Sequence, residues 1–295
     1  MTGKLQMEER TETRTLAAEG PDAVIERIVE QAKYVWPATG DVSGVGVSVP
    51  GPMNPVTGVV VAPPNLPGWH NVPLQAILEK ALDCPVYLGN DANLAALAEY
   101  ELGAAQGYRH AIYLTISTGI GSGVISDGRL LIGAEGLGAE CGHLIMMIDE
   151  DHVSTLEKEA AGPAIARTAR AAIERGEPST ILDLANNDPK QIDTKHVAEA
   201  AKGGDRLAIR ILARAGRVIG LGVVSLLHTF NPQVVVIGGG VAEGTGEILL
   251  RPMRWAIEHY AIDSSYWKNL QIFPAALGEN VCLIGAGAWA ARRGV

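Results

Sequence analysis

A chain of 295 residues is long enough for two domains or for one large one. Its composition, 47% hydrophobic and 5% aromatic with 35 glycines, suits an α/β protein packed with Ala, Val, Leu and Ile and excludes a disordered or fibrous chain. A formal charge of −9 with no Lys/Arg cluster argues against a nucleic-acid partner, because phosphate backbones are gripped mainly by basic side chains.

Taken in chain order, Pro21 to Val35 places Val24, Ile25, Ile28, Val29, Ala32 and Val35 at helical spacing. Ser43 to Val49 alternates Gly and Ser with Val, as a strand does, and stops at Pro50-Gly51-Pro52. Pro63 to Trp69 is a Pro/Gly/Asn-rich loop, and Pro73 opens a helix to about Leu82. Pro85 to Leu88 is a short buried strand that gives way to a helix over Asp91 to Leu102. Ala111 to Ser117 and Gly123 to Ile125 predict antiparallel strands around a glycine turn, with a hairpin signal at Asp127-Gly128 before Arg129 to Ile132. From Leu156 the pattern is mostly helical, with a polar interruption at Asn186 to Asp193. A long apolar helix runs from about Asp205 to Asn231-Pro232. Val234 to Ile237 is a wholly apolar strand leading through Gly238-Gly239-Gly240 into another helix, and a last helix spans about Ile284 to Arg292. Strands recurring between helices argue for α/β layers.

Cys84, Cys141 and Cys282 are scattered and odd in number, so they read as reduced thiols of a cytoplasmic protein rather than as a disulfide framework. Met1 to Arg14 has no apolar core of a secretory signal, and no apolar run reaches transmembrane length. The expected compartment is the cytoplasm, with no membrane partner.

Four short stretches carry chemistry. Asn90-Asp91 lies where a strand becomes a helix. A carboxylate there is either a helix cap, favoured by the macrodipole, or a general base that takes a proton from an attacking hydroxyl. Thr118 to Gly123 holds Thr118, Gly119, Gly121 and Gly123. This is either a tight hairpin or a nest of backbone N–H groups for phosphate oxygens, and it is not a Walker loop because no Gly-Lys-Ser/Thr follows. Gly238-Gly239-Gly240 after an apolar strand invites a dinucleotide reading. That reading fails because the last small-residue position falls on Glu243, which leaves a turn lying against a base or ribose. Glu140-Cys141-Gly142-His143 has too few thiols and imidazoles for zinc, and suits hydrogen bonding to a polyol.

With these residues in hand, the chain resembles the ROK family (repressor, open reading frame, kinase), and within it the bacterial glucokinases. The resemblance covers nearly the whole chain. It runs through Ser48-Val49-Pro50-Gly51-Pro52, Pro64-Asn65-Leu66-Pro67-Gly68-Trp69, Asn90-Asp91-Ala92-Asn93, Gly119-Ile120-Gly121 and Glu140 to His143. It continues through Leu156-Glu157, Gly162-Pro163-Ala164-Ile165, Val236 to Val241 and Leu283-Ile284-Gly285-Ala286.

The resemblance implies an α/β, actin-like ATPase fold of the sugar kinase/Hsp70 type, with two α/β domains around a cleft. Residues 1–89 plus about 282–295 would form the smaller domain and 90–281 the larger. It implies Asp91 as catalytic base; Asn65, Asn90, Glu140, His143 and Glu157 on the sugar hydroxyls; Thr118, Gly119 and Gly121 on the ATP phosphates; and Gly238, Gly239 and Gly240 on the adenosine. The expected reaction is ATP- and Mg²⁺-dependent phosphorylation of a hexose, most simply glucose to glucose 6-phosphate, by a homodimer. The alternative is a kinase-deficient sugar-binding regulator without a DNA-binding domain.

Two departures from the family pattern carry their own expectations. The family's opening Asp-x-Gly-Gly-Thr-Lys is absent, and Met1-Thr2-Gly3-Lys4-Leu5 looks like the turn after its second strand, so the expectation is a start codon assigned too far downstream, in preference to a truncated gene. The family's Cys-x-Cys-Gly-x-x-Gly-Cys segment is absent too. Met146 to Thr155 is short, acidic and free of Cys, so no structural zinc and no metal ligand are expected, with His143 left to hydrogen-bond.

Overall fold

The computed structural model describes residues 6–149 and 152–293. The turn expected at Met1 to Leu5 lies outside the described residues.

The first layer begins with α1 (Pro21–Tyr34), which has Pro in its first turn and buries Val24 and Ile25. β1 (Val45–Val49), the short ribbon β2 (Met53–Asn54) and β3 (Val59–Val60), and α2 (Leu74–Leu82) follow. β4 (Val86–Asn90) pairs in parallel with β1, from Val45 opposite Val86 to Val49 opposite Asn90, and runs directly into α3 (Asp91–Leu102). Leu74, Leu78, Val86 and Leu88 close the core beneath this pair.

A second sheet is built from β5 (Ala111–Ile116), β6 (Ile120–Ser126) and β7 (Arg129–Leu130), an antiparallel meander. Beyond it lie the hairpin β8 (Ile145–Asp149) and β9 (His152–Thr155), then α4 (Leu156–Ala160), α5 (Gly162–Glu174), α6 (Ile181–Leu184), α7 (Thr194–Lys202) and α8 (Arg206–Phe230). β10 (Val234–Gly238), α9 (Gly240–Thr245), α10 (Glu247–Tyr260), β11 (Gln271–Pro274) and α11 (Val281–Arg293) complete the chain. The second sheet has the order β11-β10-β5-β6-β7, with β10 parallel to both neighbours. Every residue of β10 is buried, as a central strand covered on both faces requires, which explains its unbroken Val-Val-Val-Ile run.

The long helix α8 begins where Asp205 accepts the Ala208 N–H at 2.9 Å and ends at Asn231 in the left-handed region. Its buried stripe of Leu207, Ile211, Leu212, Ala215 and Ile219 has the helical period seen in the sequence. The last helix, α11, starts at Val281, earlier than expected, and returns to the first sheet. There a Cβ on Gly46 would stand 1.8 Å from the Ala286 carbonyl oxygen, and one on Gly285 would stand 2.0 Å from that of Leu94. Glycine at both positions lets backbone meet backbone. The Trp289 indole N–H then donates to the Leu88 carbonyl at 3.0 Å. Among the described residues, no helix is long and apolar enough to cross a membrane.

Several elements differ from the sequence expectations. β6 starts at Ile120, so Gly121 and Gly123 are strand residues and the turn shrinks to Ser117–Gly119. Met146 to Thr155, for which the sequence offers no strand signal, belongs largely to the β8–β9 hairpin. β11 was not expected; it is short and ends on Pro274.

Candidate active site

Asp91 is the first residue of α3, and the helix N-terminus shapes its surroundings. The Asn90 side chain caps the helix, its Oδ1 accepting the N–H of Ala92 at 3.0 Å and of Asn93 at 3.3 Å. Asp91 therefore does not need to be the cap, the bland reading of its position. Its Oδ1 accepts the Ala92 N–H at 2.8 Å, and its side chain opens to solvent on one side. Loss of hydration by the surrounding protein raises its pKa, opposed by the Ala92 hydrogen bond. A carboxylate poised in this way is suited to holding a proton during transfer.

Glu140, His143 and Glu157 lie close enough to share an electrostatic environment. Partial enclosure raises the Glu140 pKa, the His143 ring lowers it, and the charges of Asp91 and Glu157 raise it again. Glu140 thus lies within electrostatic reach of Asp91, His143 and Glu157, although the four come from the start of α3, a loop, a single 3-10 turn at Cys141–His143 and α4. Asn65 sits on an exposed turn after β3, and Asn90 stands beside the turn after β1, where a Cβ on Gly51 would come 3.0 Å from the Asn90 Nδ2.

The glycine turn connects this cluster to a separate space. Glu157 Oε2 accepts the Ile120 N–H at 2.9 Å, and on the other flank the Gly162 N–H donates to the Ser117 carbonyl at 2.9 Å. Gly121 is paired opposite Thr115 and packed towards α3, where its Cβ would meet that of Ala92 at 3.0 Å. The row of free N–H groups expected from Thr118 to Gly123 is therefore narrower than its sequence implies, and Gly121 instead allows helix and strand to approach closely.

Ser117 and Thr118 line a cavity of about 430 Å³, closed opposite by Gly240 and Gly244. Gly239 caps α9 at φ +91, and a Cβ there would stand 2.5 Å from the Ile116 carbonyl oxygen. Gly238 is closed off in a similar way, its Cβ position 2.7 Å from the Tyr113 hydroxyl, so these two glycines shape the turn. Gly240, with nothing within 4 Å of its Cβ position, faces the open space.

The ROK family profile matches residues 1–293. The chain belongs to the ROK family. It is 37% identical to a glucokinase of Thermotoga maritima over 92% of this chain and 86% of that protein. A ROK family glucokinase from Streptomyces griseus, solved with glucose and AMPPNP, superposes with a TM-score of 0.78 at 30% identity, covering 92% of this chain and 89% of that one. A xylose repressor of Caldicellulosiruptor bescii is 31% identical over 82% of this chain and 61% of its own length. The fold is the actin-like α/β fold of the ROK sugar kinases.

Some residues of this ROK site carry no local signal in the sequence. Arg170, Asp193 and Lys195 line the cavity from α5 and the start of α7. Arg170 is fixed by donating to the Ile192 carbonyl, its Nε at 3.1 Å. The polar interruption before Asp193 was visible as a break between helices; that it returns to the cavity was not. Buried Ser122 is another. Its Oγ donates to the Ala139 carbonyl and accepts the Cys141 N–H at 2.9 Å, fixing the backbone on both sides of Glu140.

Proposed function

We propose that this ROK protein is an ATP-dependent hexose kinase with glucose as its acceptor. One observation carries the reading: a single turn, Ser117–Gly119, is held from the carboxylate side by Glu157 and lines the cavity with Ser117 and Thr118. A phosphoryl donor in the cavity and an acceptor hydroxyl near Asp91 would meet across that turn. The relatives support the reading, since a glucokinase and a ROK structure containing glucose and AMPPNP are similar over most of the chain.

On this reading, Asp91 accepts the proton of the attacking hydroxyl, and Asn65, Asn90, Glu140, His143 and Glu157 hold the other hydroxyls. The paired acceptors of a carboxylate and the donor–acceptor ring of histidine fit a polyol. The space suits a nucleotide. The open face at Gly240 leaves room for an adenosine. Arg170 and Lys195 supply positive charge, while the Thr118 hydroxyl offers a phosphate donor. Magnesium arriving with the nucleotide would supply neutralisation of phosphoryl charge.

The test is ADP release measured over a hexose panel with wild type and Asp91→Asn. Glucose should be turned over, and the variant should lose about 10²–10⁴-fold in turnover while binding glucose within a few-fold of wild type. Near wild-type turnover by the variant would sink the assignment of the base. Glucose binding without any turnover by wild type would leave a sugar-binding regulator, the class to which the repressor relative belongs.

A further inference from the structure

Helix α4 is five residues long, too short to fix its own direction by internal hydrogen bonds. It nevertheless bears Glu157, whose carboxylate accepts the N–H of Ile120, the residue directly after the glycine turn, so its surroundings must aim it. Leu156 and Ala160, four residues apart, are fully buried and seat one face of the helix, which leaves its polar face to be fixed by hydrogen bonds. Arg167 donates to the Lys158 carbonyl at 2.6 Å, and the second acidic residue of α4 adds the constraint that reaches furthest across the molecule. Glu159 Oε1 accepts the Ser154 hydroxyl at 2.7 Å, and Oε2 pairs with the Arg214 guanidinium. Arg214 Nη1 also donates to the Glu159 carbonyl at 3.2 Å, so one arginine grips both the side chain and the C-terminal backbone of the helix.

The three partners come from different elements. Ser154 is 1% exposed on β9, the Glu159 side chain is 17% exposed, and Arg214 stands on α8, the longest helix of the molecule. The network therefore ties hairpin, short helix and rigid helix at one point. The hydrogen bonds from Ser154 and then Arg214 hold the Glu159 carboxyl below the usual carboxylate range, so it is ionised wherever the protein works.

We propose that Arg214, acting through Glu159, is a positioning residue that aims Glu157 at the Ile120 N–H and so sets the Ser117–Gly119 turn between hexose and nucleotide. Only the identity of the two ligands rests on the hexose-kinase reading; the aiming of Glu157 does not. Arg210, one turn earlier on α8 and paired with Glu177 at the surface, is the matched control for loss of an ion pair on this helix.

The experiment compares wild type, Arg214→Ala, Arg214→Lys, Glu159→Gln and Arg210→Ala by amide hydrogen exchange at Ile120 and by steady-state kinetics. In Arg214→Ala the Ile120 amide should exchange about tenfold faster, and hexose KM should rise about tenfold with kcat and nucleotide KM changed less than about threefold. Lysine at 214 keeps the charge but not the two-pronged grip, so it should restore part of both effects. Arg210→Ala should change neither. If Arg214→Ala does not fold, Glu159→Gln and Arg214→Lys carry the same two readouts. Unchanged Ile120 exchange in folded Arg214 or Glu159 variants would overturn the proposal, as would a loss in Arg210→Ala equal to that in Arg214→Ala. If wild type neither binds nor phosphorylates a hexose, the functional reading falls, and exchange at Ile120 still decides the positioning role.

Discussion

Two junctions in this molecule use the same local device, a parallel strand running into a helix whose N-terminus faces the site, yet they are supported differently. At the β10–α9 junction the strand is hydrogen-bonded to β5 on one side and β11 on the other, and every residue of it is buried. At the β4–α3 junction, which carries Asp91, the described residues pair β4 with β1 alone, and four of the five β1 residues are only partly buried. What replaces ladder neighbours there is α11, pressed against β1 at Gly46, against α3 through Gly285 and against β4 through the Trp289 indole. The junction proposed to face the nucleotide is thus held by a sheet, and the one proposed to carry the base by a helix in backbone contact. Precision at Asp91 therefore depends on side chains absent at two glycines and on one hydrogen bond.

The largest effect expected from breaking this contrast is at the helix-held junction. Gly46→Val or Gly285→Val sets a side chain against a backbone carbonyl that cannot swing away, so each should cost about 3 kcal/mol, the upper end of overpacking. Urea unfolding with an unchanged slope and a lower midpoint is the check. Gly240→Ala is the counterpart at the sheet-held junction. With nothing within 4 Å of its new Cβ, stability should stay within about 0.5 kcal/mol while nucleotide KM rises, because the methyl group enters the cavity. If Gly240→Ala proved as destabilising as Gly46→Val, the two junctions would not differ in the way described.

A smaller effect tests the single hydrogen bond. Trp289→Phe keeps most of the ring but leaves the Leu88 carbonyl without its indole partner. The expected loss is about 1–2 kcal/mol, with hexose kinetics affected before nucleotide kinetics because Leu88 lies two residues before Asn90. A stability loss of that size with equal changes in both KM values would mean that the bond supports the whole fold rather than this junction.

How far these junctions could be read in the sequence follows from their support. The Val234–Ile237 run and the Asp205-to-Asn231 helix were plain, because a central strand and a long amphipathic helix write their burial into every residue. Asp91 was legible as a strand-to-helix carboxylate, though not the sharing of duties by which Asn90 takes the cap. The glycines of β6 read as turn because the same residue serves a turn and a close contact, and only the approach of Ala92 to Gly121 tells them apart. Hairpin β8–β9 leaves no strand signal in the sequence, since its acidic residues break the alternation that marks strands, and its register shifts between Ile145 and Met147. Arg170, Lys195 and Arg214 had no local pattern at all. Their places are set by how helices pack, which is a property of the whole chain.

The finest test of the base-side junction is its response to pH. Loss of hydration raises the Asp91 pKa above the ordinary 3.8, and Glu140 is raised above 4.5 by the same cause. A carboxyl raised on folding binds its proton more tightly in the native state. Ionisation therefore works against stability at any pH above the ordinary value, and the penalty is relieved as pH falls through the raised value. Catalysis needs the opposite state, since a base must be ionised to accept a proton. The acid limb of kcat/KM should accordingly inflect above the ordinary aspartate value, while stability declines more slowly with acid than the ion-paired carboxylates alone would dictate. Asp91→Asn separates the two. It should abolish the turnover whose limb is being measured, and at neutral pH it should unfold at a slightly higher urea concentration than wild type. That advantage should shrink as the medium is acidified through the native pKa, because wild type then carries a neutral group there as well. An advantage that persisted unchanged to low pH would place its origin in the amide's own contacts at the helix N-terminus rather than in a desolvated charge.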